Sequence, residues 1–222
     1  MDDSVLHESG LHEIDLLVGS MFTVQKTEDR EAFDEEREWI SDIQDMLREE
    51  GIEVDLLSRP GDEVYEGGIE RFIDLYGLRL MAVYLENNRD IAALVDGDID
   101  DAEPDPLLAA IYEGTATTQY AHLVNHQGEG GYYIPADFPE PIWIEYEDED
   151  EELDTEAEDD EEADDSVISF GSSIGLQREL VMLATKLQEA NIEAEHPVML
   201  CLTALRAAAD ASVSNDLPII VW

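Results

Sequence analysis

The chain of 222 residues is long enough for one sizeable hydrophobic core or two small ones, and 44% of its residues are hydrophobic. Its charge is unusual, because 57 Asp and Glu outnumber 11 Lys and Arg and give a formal net charge of −46. The apolar content excludes disorder of the whole chain. The lack of basic patches argues against direct binding to DNA or RNA, since phosphates must be neutralised by Lys and Arg.

The acidic charge predicts a folded, halophilic protein. In molar salt the Debye length falls to about 3 Å, so repulsion between surface carboxylates is largely screened. A dense carboxylate surface then keeps the protein hydrated and soluble. Lys26 and Lys186 are the only lysines, which fits a surface where acidic residues have replaced lysine. On this hypothesis the charge is a background property that carries no information about function.

The compartment is predicted from what the sequence lacks. Cys201 is the only cysteine and cannot form an intramolecular disulfide. Residues 1–4 show neither the basic nor the apolar region of a signal peptide. No run approaches 18 apolar residues. We therefore expect a cytoplasmic protein without membrane association, beginning with a flexible tail over residues 1–13.

The first half of the chain predicts two strands and two helices. Residues 14–24 are rich in β-formers and predict a strand. Residues 27–50 carry apolar residues at three- and four-residue steps, which predicts an amphipathic helix ending at Gly51. Residues 52–57 alternate apolar and acidic side chains and predict a second strand. Residues 67–88 predict a long helix, with a strand over 78–85 as the alternative.

The second half begins with a short helix that Asp105 caps and that ends at Gly114. Residues 132–143 are aromatic and proline-rich and predict an extended segment at an edge or in a loop. Residues 145–165 contain 16 acidic residues and no basic one, and predict a disordered insertion.

The chain closes with four further predicted elements: a strand over 167–170, a helix capped by Ser172 or Ser173, a helix starting at Pro197, and a strand over 218–222. The strands are short and interspersed with helices. The sequence therefore predicts an α+β fold, a single domain over residues 14–222 in which several helices pack on a small mixed or antiparallel sheet.

Two histidines suggest a metal site. His122 and His126 are four residues apart, so a helix would place both rings on one face. Leu123 stands where a zinc-hydrolase helix carries its glutamate base. Two interpretations stay open: a divalent metal such as zinc bound by the pair, or one buried hydrogen-bonding histidine beside an exposed one.

A second candidate site combines aromatic, glycine and serine residues. Tyr132 and Tyr133 follow two glycines and lie near Asn125 and His126, which together are typical of a pocket lining. Ser172 and Ser173 at a helix start offer backbone N–H groups to an anion. The alternative is that the tyrosines alternate between core and surface while the serines only cap the helix.

Three short motifs carry a family resemblance. They are Asn125-His126, Gly131-Tyr132-Tyr133-Ile134-Pro135 with Phe138, and Gly171-Ser172-Ser173 with Leu176, Glu179 and Leu180. This pattern resembles an uncharacterised family of small single-domain prokaryotic proteins. Family members often place Ser and Asp after Asn-His, where this chain has residues 127–130 as Gln-Gly-Glu-Gly. The resemblance implies a shared fold and a shared site, and it implies no activity.

Function is predicted as protein binding, by an immunity-like or antitoxin-like module that uses the aromatic segment 120–143 as its contact surface. The expected partner is a protein, with no nucleic acid, membrane or cofactor. The alternative is a metal-assisted hydrolase that uses His122 and His126. A third hypothesis, in which the segment 145–165 binds a basic partner, is weaker because high ionic strength screens that attraction.

Overall fold

The structure is a computed structural model and describes residues 12–96, 99, 105–127, 130–146 and 166–222. These residues form six strands and seven helices. The strands are β1 (Ile14–Gly19), β2 (Glu63–Ile69), β3 (Tyr132–Ile134), β4 (Ile142–Tyr146), β5 (Ser166–Ser172) and β6 (Ile219–Val221). The helices are α1 (Arg30–Glu49), α2 (Phe72–Glu86), α3 (Ala92–Asp96), α4 (Pro106–Tyr112), α5 (Ala121–Val124), α6 (Ser173–Glu189) and α7 (Pro197–Asn215).

The six strands form one mixed sheet in the order β2-β1-β6-β3-β5-β4. Only β3 and β5 pair in parallel, and the other neighbours are antiparallel. Helices and strands alternate irregularly along the chain, so no repeated βαβ unit builds the sheet. The predicted α+β fold with a single mixed sheet is confirmed.

The sheet separates two hydrophobic cores, because successive side chains of a strand point to opposite faces. Ile14, Leu16 and Val18 of β1 pack with α2, α6 and α7. Phe170 and Ile134 pack on the opposite face, against the buried stripe of α1. We call these faces the α6–α7 side and the α1 side.

Helix α1 confirms the prediction for residues 27–50. The Asp29 carboxylate accepts hydrogen bonds from the backbone N–H groups of Glu31 and Ala32, which caps the helix start. Gly51, at φ +80°, takes the left-handed conformation that ends the helix. The buried side chains lie seven, three and four residues apart, on one face of the helix, and fix that face to the sheet: Phe33, Ile40, Ile43 and Leu47.

The region between α1 and α2 corrects two predictions. Residues 52–57 form no strand; Ile52 and Leu56 are buried as part of a loop on the α1 side. The alternation of apolar and acidic side chains shows only that one side of the segment is buried, and a loop packed against a helix can have the same pattern. The strand is instead β2, whose last three residues, 67–69, were predicted to open a helix. Pairing of Ile69 with Ile14 keeps this segment extended and delays α2 to Phe72.

The second half follows the sequence more closely. Asp105 caps α4 and Ser172 caps α6, as predicted. Within the segment 132–143, residues 132–134 correct the prediction, because β3 lies in the interior of the sheet between β6 and β5. Residues 142–143 agree with it, because they begin β4 at the edge of the sheet. Most of the predicted tail, residues 1–11, and most of the predicted insertion, residues 147–165, lie outside the described residues. Among the helices that the structure describes, none is long and apolar enough to cross a membrane.

Candidate functional site

His122 is a buried residue of α5, with 1% of its surface exposed. Its Nε2 lies 2.9 Å from the Phe138 carbonyl oxygen, and its Nδ1 accepts a hydrogen bond from the Ser172 backbone N–H at 3.1 Å. Both contacts are satisfied by a neutral ring that carries its proton on Nε2. Burial lowers the pKa of His122, which favours the same neutral form.

His126 is equally buried, with 2% of its surface exposed, and its ring stacks on Tyr133 at a centroid distance of 3.9 Å. Its Nδ1 lies 2.6 Å from the Gln127 carbonyl oxygen and its Nε2 lies 3.1 Å from that of Tyr132. Burial lowers the pKa of His126 to about 3, so the ring is neutral and has a single N–H for these two carbonyls.

The two histidines are both hydrogen-bonded core residues. The non-metal interpretation predicted that one of them would be exposed, and that part of it is wrong. Each ring nitrogen faces a backbone atom. Within the described ranges, no group of three His, Cys, Asp or Glu side chains could hold a metal ion. The donor set that a zinc ion needs is therefore not assembled around His122 and His126 by these residues.

Tyr132 and Tyr133 lie on opposite faces of β3. The buried Tyr133 hydroxyl donates to the His122 carbonyl oxygen at 3.1 Å on the α6–α7 side. Tyr132 stacks on Phe170 on the α1 side, at a ring-centroid distance of 5.5 Å. The two rings therefore do not line one pocket, and the strand interpretation describes their placement.

The serine pair is buried at the junction of β5 and α6. The Ser172 hydroxyl donates to the Ala136 carbonyl oxygen at 2.5 Å and accepts from the Gly175 N–H at 2.8 Å. Ser173 donates to the Tyr133 carbonyl oxygen at 3.1 Å. These internal partners occupy both hydroxyls. Ligand roles for the serines, the histidines, the tyrosines and Asn125 stay predictions.

Asn125 is half-buried, and its Oδ1 is a buried atom without a hydrogen-bond partner among the described residues. The nearby void lined by Arg79, His126 and Tyr133 has a volume of about 10 Å³. That volume is about the size of one water molecule.

The structure thus brings His122, His126, Tyr133 and the two serines together in a core network.

Two charged residues that sequence reasoning did not single out as site residues hold this network. The buried Glu179 carboxylate accepts the backbone N–H groups of His122 at 3.0 Å and Leu123 at 2.9 Å. The buried Arg79 guanidinium donates to the carbonyl oxygens of Leu123 at 2.8 Å and His126 at 2.6 Å. We call Arg79 and Glu179 the polar clamp, because they satisfy opposite ends of the α5 turn.

The sequence feature that could have revealed the polar clamp is a charged residue within the apolar pattern of a helix. Arg79 lies between Leu78 and Leu80 on a helix that is buried on nearly all sides, and Glu179 precedes Leu180. A charge at such a position must be hydrogen-bonded or paired. Burial raises the pKa of Glu179 to about 7, despite its two backbone donors.

The outer face of α1 is the second feature that the structure assembles. Six carboxylates, all exposed, recur on average every 3.6 residues and form a straight line along the helix: Glu31, Glu35, Glu38, Asp42, Asp45 and Glu49. We call this line the acidic stripe. It lies on the side of the helix away from the buried stripe, because Glu38 and Ile40, like Asp45 and Leu47, are about 200° apart.

Charge is distributed unequally between the two sides of the sheet. Residues 28–50, which comprise α1 and its ends, hold eleven acidic and three basic residues, a net charge of −8. Helix α6 holds two of each sign and α7 holds one of each, so both are neutral. Both helices nevertheless expose a face to solvent, including Met182 of α6 and Leu200 of α7.

The comparisons with known proteins identify one family. The model of the family described as "Putative DNA-mimic protein" matches residues 12–221. No curated protein and no solved structure shows significant similarity to the chain. The family description names a protein that stands in for DNA, and therefore one that interacts with DNA-binding proteins.

This finding corrects the predicted function and partner. A metal-assisted hydrolase with His122 and His126 is wrong, and so is the immunity-like or antitoxin-like role, whereas the contact segment 120–143 is not tested by the family. The expectation of a protein partner is compatible with the family. The prediction of no link to nucleic acid was wrong, because the family mimics DNA and the charge had been taken to carry no information about function. Since the match covers nearly the whole length, the chain belongs to the putative DNA-mimic protein family.

Proposed function

We propose that this protein binds a DNA-binding protein in place of DNA and that the acidic stripe of α1 is its principal contact surface. The family match supports the class of partner. The observation that carries the choice of surface is the segregation of charge, −8 over residues 28–50 against zero on α6 and α7. A DNA-binding face is basic, and among the described helices α1 complements it better than the uncharged α6 and α7.

Hydration in brine does not account for this segregation. A coat that only keeps a protein soluble in salt should cover every exposed face, because each face meets the same solvent. Helices α6 and α7 are exposed along one face and carry no net charge. Salt adaptation stays a prediction, and it can coexist with a recognition surface on the α1 side.

The charge density of α1 together with its ends, residues 28–50, approaches that of a nucleic acid strand. Each strand of duplex DNA carries one phosphate per about 3.4 Å of helix axis. Residues 28–50, at about 1.5 Å per residue, extend over roughly 34 Å and carry a net charge of −8. This is about one negative charge per 4 Å, so a row of basic side chains that spans a phosphate backbone would find a similar number of partners.

Rigidity also supports the comparison with DNA. The buried face of α1 packs on the sheet, and Phe22 stacks on Phe33 at a centroid distance of 4.8 Å near the helix start. The carboxylates of the stripe therefore project from a fixed backbone at one per turn, about 5.4 Å apart. Charges held in place before binding cost less ordering entropy on binding than charges on a flexible chain.

A competition experiment tests the proposal. Purified proteins of the helix-turn-helix, minor-groove-bending and histone classes are each bound to a fluorescent duplex, and the full chain is added as competitor. We expect the chain to displace the duplex from at least one class. The variant Glu35→Gln/Glu38→Gln/Asp42→Asn/Glu49→Gln should compete at least about tenfold less well, because it removes four of the six stripe charges.

The matched control neutralises four exposed glutamates away from α1: Glu113→Gln/Glu189→Gln/Glu193→Gln/Glu195→Gln. This variant has the same net charge as the stripe variant and should compete like the wild type. Equal loss in both variants would show that total charge, and not the stripe, drives binding. Failure of the wild-type chain to displace DNA from any class would overturn the proposed function.

A further inference from the structure

One half of the α1 side of the sheet is not covered by α1. The register places Leu17, Ile220 and Tyr132 on the same face, because Leu17 pairs with Ile220 and Ile220 pairs with Tyr132. Glu66 is on this face too, since it pairs with Leu17. Helix α1 packs over β3, β4 and β5, so β1, β2 and β6 present their α1-side residues beside it.

This half of the α1 side contains a cavity of about 320 Å³ with an acidic and aromatic lining. Three acidic residues, Asp15, Glu63 and Glu66, line it together with Leu17 and Trp222. Trp222 is 54% exposed although its backbone is held by two hydrogen bonds to Asp15, so the indole presents surface to solvent from an ordered position. Aromatic residues are enriched in protein interfaces, and here the indole lies beside carboxylates.

The carboxylates of this cavity have little positive charge near them. Asp15 faces His12, with 3.4 Å between Oδ1 and Nδ1, an ion pair only when the histidine is protonated. Across the described parts of the chain, neither Glu63 nor Glu66 has an ion pair with a basic side chain. The cavity therefore offers negative charge and an aromatic face to an incoming cation.

We infer that this cavity binds an arginine side chain of the DNA-binding partner, an inference that rests on the proposed function. DNA-binding proteins contact phosphates and base edges with Arg more specifically than with any other residue. In this cavity the guanidinium stacks on the Trp222 indole while Glu63 and Glu66 accept its N–H groups. Leu17 contacts the methylene stem.

The lining selects arginine over lysine. A guanidinium is planar and weakly hydrated, so it can stack on an indole and donate two parallel hydrogen bonds to a carboxylate at once. A lysine ammonium is compact and strongly hydrated, and it gains only the charge attraction of Asp15, Glu63 and Glu66. The acidic stripe supplies attraction for either cation, whereas the cavity distinguishes them.

A titration of the full chain with short peptides tests this inference. Indole N–H signals are followed by NMR while a hexa-arginine or a hexa-lysine peptide is added, and the Trp222 signal is assigned with the variant Trp222→Phe. We expect arginine to shift the Trp222 signal with an affinity at least about fivefold above that of lysine. The variant Glu63→Gln/Glu66→Gln should weaken the arginine-induced shift about tenfold.

Trp143 is the internal control. It is 52% exposed, and it lies on the opposite face of the sheet because its neighbours Ile142 and Ile144 pack on the α1 side. Its indole signal should not move with the arginine peptide. Equal shifts of Trp143 and Trp222, or equal affinity for the two peptides, would overturn the arginine site.

The competition experiment separates this inference from the proposed function. Trp222→Leu, with an unchanged melting temperature, should lower competition for the DNA-binding protein about fivefold. Full competition by Trp222→Leu together with an unmoved Trp222 signal would refute the cavity and leave the proposed function standing. A wild-type chain that binds the arginine peptide at Trp222 yet displaces no DNA would keep the cavity and refute the proposed function.

Discussion

The two sides of the sheet place charged residues in opposite ways. On the α1 side, carboxylates line the solvent face of a helix at one per turn and are left largely without basic partners. On the α6–α7 side, helices α6 and α7 carry no net charge, and two charges are buried to satisfy the backbone of α5: Arg79 and Glu179. The difference teaches that the location of a charge, more than its amount, decides what it does.

The energetic consequences of the two arrangements also differ. A buried charge that satisfies backbone groups is strongly coupled to folding, because removing it leaves donors or acceptors without partners. An exposed charge contributes little to folding and remains available to a binding partner. Removing a charge on the α6–α7 side should therefore lower stability, whereas removing charges on the α1 side should weaken binding to the partner. Three measurements test this contrast.

The largest effect is expected from the variant Arg79→Met. It leaves the carbonyl oxygens of Leu123 and His126 buried without a donor and should lower the free energy of unfolding by about 3 to 5 kcal/mol. The matched control is Arg37→Met on the exposed face of α1, for which we expect a change within about 0.5 kcal/mol. Chemical denaturation measures both, and equal losses would contradict the contrast.

The next effect is the pH dependence caused by Glu179. Its pKa is raised to about 7 in the folded protein, from an ordinary value of 4.5. Between these values the folded state binds the extra proton, so the free energy of unfolding falls as the pH rises towards 7. The total loss is roughly 3 kcal/mol at most, at about 1.4 kcal/mol per unit.

The variant Glu179→Gln isolates this contribution, because every surface carboxylate titrates alike in both proteins. Unfolding curves between pH 5.5 and pH 8, roughly the range that brackets the folded pKa, should show a steeper decline for the wild type than for the variant. Parallel declines would mean that Glu179 ionises in the folded protein as it does in the unfolded chain.

The smallest effect concerns the stability of α1 at low salt. Neighbouring carboxylates in the acidic stripe are three or four residues apart and repel each other by about 0.2 to 0.5 kcal/mol per pair. In dilute buffer, the free energy of unfolding of the four-site stripe variant should therefore be about 1 to 2 kcal/mol higher than that of the wild type. In about 1 M KCl the gain should nearly vanish, because the Debye length falls to about 3 Å.

The four-site control on Glu113, Glu189, Glu193 and Glu195 should gain less, since these residues do not form a row on one helix. A gain in both variants that persists in molar KCl would show that the stripe is not a site of concentrated repulsion. A wild type that stays folded in dilute buffer would also weaken the salt-adaptation hypothesis.

Short sequence patterns correctly predicted the helices that are specified by residues close together in the chain. Helix α1 followed from its periodic apolar residues and its cap at Asp29, and α4 followed from Asp105 and Pro106. The errors fell where long-range pairing decides the conformation. Residues 63–69 form β2 because β1 lies beside them, and residues 132–134 form β3 between strands that are far away in the chain.

The predicted site residues illustrate the same limit. The spacing of His122 and His126 is that of a metal-binding helix, yet α5 ends at Val124 and both rings face backbone groups of other segments. Ser172 was predicted as a cap and is one. A capping bond is formed within four residues, whereas the surroundings of an imidazole are set by segments that the sequence does not show to be neighbours.

By itself, the sequence determined the amount of charge, the amphipathic character of α1 and the α+β class, because these depend on composition and on periods of a few residues. Only the tertiary structure decided where the charge lies: an acidic stripe on one side of the sheet, a polar clamp on the other, and Trp222 beside Glu63 and Glu66. The physical reason is that burial and charge complementarity depend on distances in space, and those distances follow from strand order and packing.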